Sequence, residues 1–225
     1  MTGSFMESFF DRVESRRNPW PAGRADLHWH LLPDQAVVRE ALVEPYRAIT
    51  HRPGLAPVPA PWVHCTLLHA GPVDQYRDEE IDAIIERVAK ECQTIAPFDL
   101  VFDRPTVGTV AVECAARPGE PARQLWELTA RADAEITGGR FPLIPAVYYP
   151  HISLAYGNRG ELQQTGARAS TIRPDRRELK AALADLPGEP VVLRADRLCL
   201  VAQQHDRQHI TWTPIAEVPL QAPAR

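Results

Sequence analysis

The chain has 225 residues, 44% hydrophobic and 24% charged, with a formal net charge of −4. That length and balance suit a folded globular protein with an ample core and exclude a disordered or low-complexity chain. The acidic surplus argues against tight, sequence-independent binding of long DNA or RNA, which needs a strongly basic surface, but it leaves room for a local cationic pocket. Residues 1–24 open the chain as an arm in which Phe5, Phe9 and Val13 recur at helical spacing. Glu7, Asp11 and Glu14 interrupt the apolar residues there, so the arm does not read as a signal peptide. Residues 25–32 alternate enough for a strand, and Pro33-Asp34 is placed to cap a helix over 34–48. A Pro-rich loop then leads into a second strand over 62–70, ended by Gly71-Pro72. The clearest amphipathic helix is 78–93, where Ile81, Ile84, Ile85, Val88 and Cys92 share a face and acidic residues crowd the first turn. Strands are expected over 98–103 and 107–115, a helix over 121–137, and a strand over 147–156 that stops at Gly157-Asn158. A helix over 174–185 precedes a strand pair, 191–203 and 208–217, joined through His205-Asp206-Arg207. Without long βαβ periodicity this order predicts an α+β fold with antiparallel sheets.

Cys65, Cys92, Cys114 and Cys199 fall singly inside apolar stretches with no metal-ligand spacing. They read as buried free thiols in a reducing compartment. No apolar run approaches a membrane span, and a cytoplasmic, monomeric protein without membrane partners is expected.

The chemistry is carried by an internal repeat. Trp62-Val63-His64-Cys65-Thr66-Leu67-Leu68 and Tyr149-Pro150-His151-Ile152-Ser153-Leu154-Ala155 share one pattern of aromatic, any residue, His, any residue, hydroxyl, Leu, apolar or small. Side chains alternate along a strand, so His64 and Thr66 point one way and His151 and Ser153 do likewise. The opposite faces carry apolar residues suited to a core, and each segment therefore reads as one wall of a cleft. With eight His and 17 Ser plus Thr, fewer than one His-x-[Ser/Thr] triplet is expected by chance, and three occur. The third, His209-Ile210-Thr211, lacks the following Leu and is read as part of the last sheet, outside the site.

The matched pair resembles the two-histidine (2H) phosphoesterase superfamily, in its 2′-5′ RNA ligase-like and cyclic nucleotide phosphodiesterase branch. Leu31-Leu32-Pro33-Asp34 is similar to the end of that family's first strand. The resemblance implies a bilobal fold of two related lobes, with antiparallel sheets flanked by helices and a cleft between the sheets. Residues 25–217 would form this single domain, followed by a tail over 218–225. It also implies metal-independent cleavage of phosphodiesters, commonly 2′,3′-cyclic ends, with no cofactor.

Elementary chemistry points the same way. Phosphoester cleavage needs a base for the nucleophile and an acid for the leaving oxygen, and imidazole serves either role near neutral pH. His64 and His151 are the candidate catalytic residues, and Thr66 and Ser153 the candidate donors to the substrate phosphate. Trp62 and Tyr149 are candidates to stack a base, or equally to pack the sheet. His28 and His30 share a strand face, but no nearby Cys, Asp or Glu has ligand spacing, so no metal site is assigned. His69 and Tyr156 are placed at the cleft mouth at even odds. Arg24, Arg104, Arg159 and Arg168 are loop candidates for a second phosphate, each more often a solvated surface residue. The expected function is a hydrolase of a 2′,3′-cyclic phosphate or 2′-5′ phosphodiester on a nucleotide or RNA end, in RNA processing. The alternatives are 2′-5′ RNA ligation, action on a cyclic phosphate of ADP-ribose, or a nucleotide- or RNA-binding module that keeps the cleft with little turnover.

Overall fold

The computed structural model describes residues 5–158 and 173–221. Two antiparallel sheets organise them. The first has the order β10-β9-β1-β3, formed by β1 (Asp26–Leu31), β3 (Cys65–Pro72), β9 (Arg197–His205) and β10 (Ile210–Pro219). The second has the order β2-β7-β6-β4-β8, formed by β2 (Leu55–Pro57), β4 (Phe98–Phe102), β6 (Ala111–Arg117), β7 (His151–Gly157) and β8 (Val191–Ala195), with β5 (Thr106–Val107) paired to β6. One strand of the internal repeat lies in each sheet. The fold is the α+β architecture of two sheets flanked by helices that the sequence predicts.

Helices α4 (Asp78–Cys92) and α5 (Glu120–Thr137) pack on each other and against β10 and β3. Ile84, Val88 and Cys92 of α4 and Leu125, Leu128 and Ala132 of α5 are buried, as the helical periodicity requires. Glu80 closes a reciprocal cap, its carboxylate accepting from the Arg77 N–H at 3.1 Å. Gly138 ends α5 in the left-handed conformation, φ +67°, which glycine adopts without a Cβ clash. No described helix is long and apolar enough to cross a membrane.

Several expected elements differ. The single helix over 34–48 is split into α2 (Gln35–Val38), a π-turn (Arg39–Val43) and α3 (Arg47–Thr50). Asp34 caps its start as expected, accepting from Ala36 N and Val37 N. Pro45, which lacks an N–H and clashes with the preceding turn, accounts for the break. The strand expected over 107–115 is a hairpin, β5 and β6, turning at Gly108-Thr109. The strand expected over 191–203 is two strands in different sheets, β8 and β9. β10 runs through Pro219, and Leu220 beyond it is buried, so the last sheet extends past residue 217.

The arm forms α1 (Phe9–Ser15), followed by a coil that reaches β1. Its buried face is Met6, Phe10 and Val13, whereas Phe5 is exposed, so the helical stripe is turned one residue from the expected Phe5-Phe9-Val13. The arm backbone bonds from Met6 N to Pro174 O and from Glu7 N to Thr109 O, both at 2.9 Å. Gly157 at the end of β7 permits this approach, because a Cβ there would collide with the Glu7 carbonyl oxygen.

Candidate active site

His64, Thr66, His151 and Ser153 line one cleft of about 200 Å³ between the two sheets. Each histidine immediately precedes or opens its strand, and each ring is held in the same way. His64 Nδ1 donates to the Trp62 carbonyl at 2.8 Å, and His151 Nδ1 donates to the Tyr149 carbonyl at 3.1 Å. A carbonyl only accepts, so Nδ1 carries the proton in both rings and each neutral ring leaves an Nε2 lone pair free. The aromatic-x-His spacing thus has a backbone meaning: the residue two before each histidine supplies the oxygen that fixes its tautomer.

The Leu that follows each hydroxyl also has a structural role. Between the pairs Trp29↔Leu68 and His30↔Thr66, β3 carries one extra residue, Leu67. Between the pairs Val112↔Ala155 and Glu113↔Ser153, β7 carries one extra residue, Leu154. Both leucines are buried. A bulge shifts the alternation by one, so residues an odd number apart face the same way. His69, three residues after Thr66, and Tyr156, three after Ser153, therefore turn into the cleft alongside the hydroxyls. They are buried in its wall rather than set at an exposed mouth.

Burial separates the two imidazoles. His64 is only 7% exposed, and burial pushes it down to about 4, against the bond from its ring to Trp62 O. The charge of His151 contributes to this lowering after burial. His64 is therefore neutral at physiological pH, with Nε2 open as a base. His151 is more exposed.

Behind His64 lies an array of imidazoles that no spacing in the sequence connects to it. His30 stacks on His64, ring centroids 4.3 Å apart, and His28 stacks on His69 at 4.1 Å. Both nitrogens of His30 are buried without a hydrogen-bond partner. His69 Nε2 lies 2.7 Å from Asp26 Oδ2, and Arg24 binds the same carboxylate through Nε at 2.7 Å and Nη2 at 2.8 Å. Among the described residues, no three His, Cys, Asp or Glu side chains group to hold a metal ion.

Other candidates are placed elsewhere. Trp62 sits in a 3₁₀ turn (Ala60–Trp62) before β3, its ring edge-on to Trp212 at 4.8 Å. Tyr149 is half exposed before β7 and donates to Glu113 at 3.2 Å. Neither residue belongs to a strand, and the Tyr149 ring packs beside that of His151, centroids 4.8 Å apart. His209 lies exposed in the β9–β10 turn beside Asp206, and Thr211 follows it in β10; neither lines the cleft. Arg24 is committed to Asp26, and Arg104 to the carbonyls of Leu183 and Leu186. Arg159 and Arg168 lie outside the described residues. Among the described residues, the cation that lines the cleft is Arg16, from the arm, together with Trp20 and Gln203. No spacing in the sequence marks these three, since they come from segments far from either motif. The four cysteines are free and buried, and burial pushes their thiols up to about 11 or 12.

A family model described as the 2'-5' RNA ligase superfamily matches residues 33–207. A sequence search among curated proteins finds no match. The fold is similar to TT0787 of Thermus thermophilus, with 18% identity, a TM-score of 0.61, and coverage of 88% of this chain and 98% of that one. E. coli LigT complexed with 3'-AMP is similar at 19% identity and a TM-score of 0.58, covering 88% of this chain and 99% of that one. E. coli LigT complexed with ATP matches at 19% identity and 0.60, with the same coverage. At such identities the structures establish a shared two-lobed fold. The family model spans most of the chain, including both His-x-[Ser/Thr]-Leu motifs, and with the paired motifs facing one cleft it places the chain in the 2'-5' RNA ligase superfamily.

Proposed function

We propose that this chain is a phosphodiesterase that opens a 2′,3′-cyclic phosphate, or cleaves a 2′-5′ linkage, on a nucleotide or RNA end without a metal. The observation that carries the reading is the matched pair of imidazoles, each fixed through Nδ1 to the carbonyl two residues upstream and each followed by a hydroxyl on the same cleft. In hydrolysis of a cyclic phosphate, His64 Nε2 takes a proton from water as its oxygen bonds to phosphorus. His151 gives a proton to the ribose oxygen as the phosphorus–oxygen bond breaks. Thr66 and Ser153 donate to the non-bridging oxygens, where negative charge builds in the transition state. The role of base falls to His64 because burial keeps it neutral, and that of acid to the more exposed His151.

The cleft, at about 200 Å³, takes the phosphate-bearing end of one chain rather than a duplex. Nucleotide chemistry is also in keeping with the 3'-AMP and ATP held by the similarly folded LigT. The test is turnover by the purified protein, in the presence of chelator, of 2′,3′-cyclic mononucleotides and 2′-5′ dinucleotides. Hydrolysis that disappears in His64→Ala and His151→Ala supports the reading. A wild type that binds nucleotides yet leaves every such substrate intact refutes it in favour of a binding module.

A further inference from the structure

Arg16 stands in the cleft with no carboxylate bound to it among the described residues. Its Nε donates to the Asn18 carbonyl at 2.6 Å, and its Nη2 to His69 Nδ1 at 2.8 Å. A guanidinium has no acceptor, so His69 Nδ1 must accept, and the proton of the neutral ring sits on Nε2, directed at Asp26. The Asp26 carboxylate is engaged by this N–H and by both arms of Arg24. The chain Arg16–His69–Asp26–Arg24 thus orients Arg16 through a neutral ring, and the carboxylate at its far end is already paired with another arginine. Among the described residues, Nη1 of Arg16 finds no acceptor. The side chain is half-buried, and burial works against its charge. A partly desolvated guanidinium with free donors is a site for an anion.

The position is packed on both sides. Trp20 packs on His28, His69 and His205, with centroids 5.3, 5.3 and 4.6 Å away. On the other side Phe9 lies against Tyr156 at 4.3 Å. Since His205 belongs to the first sheet and Tyr156 to the second, the arm closes one end of the cleft and holds Arg16 there. His69, on which Arg16 rests, pairs with His28 where Thr66 pairs with His30, so it lies two residues of β1, roughly 7 Å at 3.3 Å per residue, beyond Thr66. That separation leaves the scissile phosphate to Thr66 and Ser153 and places Arg16 at the other end of a small substrate.

We propose that Arg16 is a specificity-determining residue that binds a second phosphate of the substrate, one that is not cleaved. The proposal rests on the phosphodiesterase reading of the same cleft, and it selects nucleotides with phosphates at both ends of the ribose over those carrying only the scissile group. The arm that supplies Arg16 precedes the stretch, residues 33–207, that the family model matches.

The experiment has two parts. Adenosine 3′,5′-bisphosphate and adenosine 3′-monophosphate are titrated calorimetrically into wild type, Arg16→Gln and Arg16→Lys, with thermal melts confirming that each variant folds. The wild type should prefer the bisphosphate on the order of 10- to 100-fold, the range of a charge-assisted contact. Arg16→Gln should reduce that ratio to about threefold or less, and Arg16→Lys should restore part of it because the charge returns without the fork. Equal affinities in the wild type, or an unchanged ratio in Arg16→Gln, would overturn the proposal. In parallel, adenosine 2′,3′-cyclic phosphate with and without a 5′-phosphate is offered as substrate. Turnover of both with equal kcat/KM refutes Arg16 and leaves the phosphodiesterase standing. Absence of turnover with the binding ratio intact refutes the phosphodiesterase and leaves Arg16 as a phosphate site.

Discussion

Acidification below about pH 6.5 should unfold this protein through its buried imidazoles. His28 and His30 are held well below the ordinary imidazole range by burial and then by the charge of neighbouring histidines, and His64 is pushed down to about 4. In the unfolded chain each returns to about 6.5. Between those values the unfolded state takes up protons that the folded state refuses, so stability present above about pH 6.5 is lost as the pH falls. Each such histidine costs about 1.4 kcal/mol per pH unit once the pH is well below 6.5. From about pH 6.5 to pH 5 three of them together remove about 5 kcal/mol, comparable to the whole stability of many domains. Asp26, lowered by its bonds to His69 and Arg24 against the opposing effect of burial, loses its contribution only at lower pH, below the ordinary carboxylate range. The perturbation is His30→Leu, since His30 is buried and makes no hydrogen bond, and Leu is an apolar side chain of similar volume. It should leave about two thirds of the loss, sparing about 1.5 kcal/mol over that window. Urea unfolding followed by circular dichroism at several pH values between about 7.5 and 5 gives the slope for both proteins. A wild type whose stability is flat over the window, or a variant with an identical slope, would refute the reasoning.

Four further outcomes are expected. His64→Ala and His151→Ala should each lower kcat on the order of 10²–10⁴-fold, with the double variant far less than multiplicatively worse, as measured on a cyclic mononucleotide; in the same assay Thr66→Ala and Ser153→Ala should cost less, on the order of 10–10²-fold, because each removes one donor of a set. The pH profile of kcat/KM should be bell-shaped, and its acid limb should fall as the pH drops through about 4, where His64 takes a proton, provided the protein is assayed faster than it unfolds. Excess chelator should leave turnover unchanged, and restoration of lost activity by a divalent ion would count against metal-free chemistry. The native protein should resist thiol alkylation near neutral pH and become reactive on unfolding, since Cys65 and Cys199 are held near 11 and Cys92 and Cys114 near 12 by burial.

The sequence by itself determined the two walls of the cleft. His64 with Thr66 and His151 with Ser153 were readable because a strand sends alternate residues to one face, a local rule that needs no knowledge of the rest of the chain. Helices α4 and α5 were readable for the same reason, their apolar residues recurring with the helical period. The same local rule stops where the backbone leaves its period. It does not reach Trp62 and Tyr149, because the strands begin later, at Cys65 and His151, and each of the two residues supplies a carbonyl oxygen to its histidine. It also left His69 and Tyr156 at even odds, because an odd spacing from the hydroxyl reaches the same face only across the bulges at Leu67 and Leu154. Only the tertiary structure decided which strands pair, and hence that His30 lies under His64 and that Arg16 is held against His69. Those contacts join segments distant in sequence, and their partners are selected by packing and by the need to satisfy buried polar groups, neither of which leaves a spacing to be read along the chain.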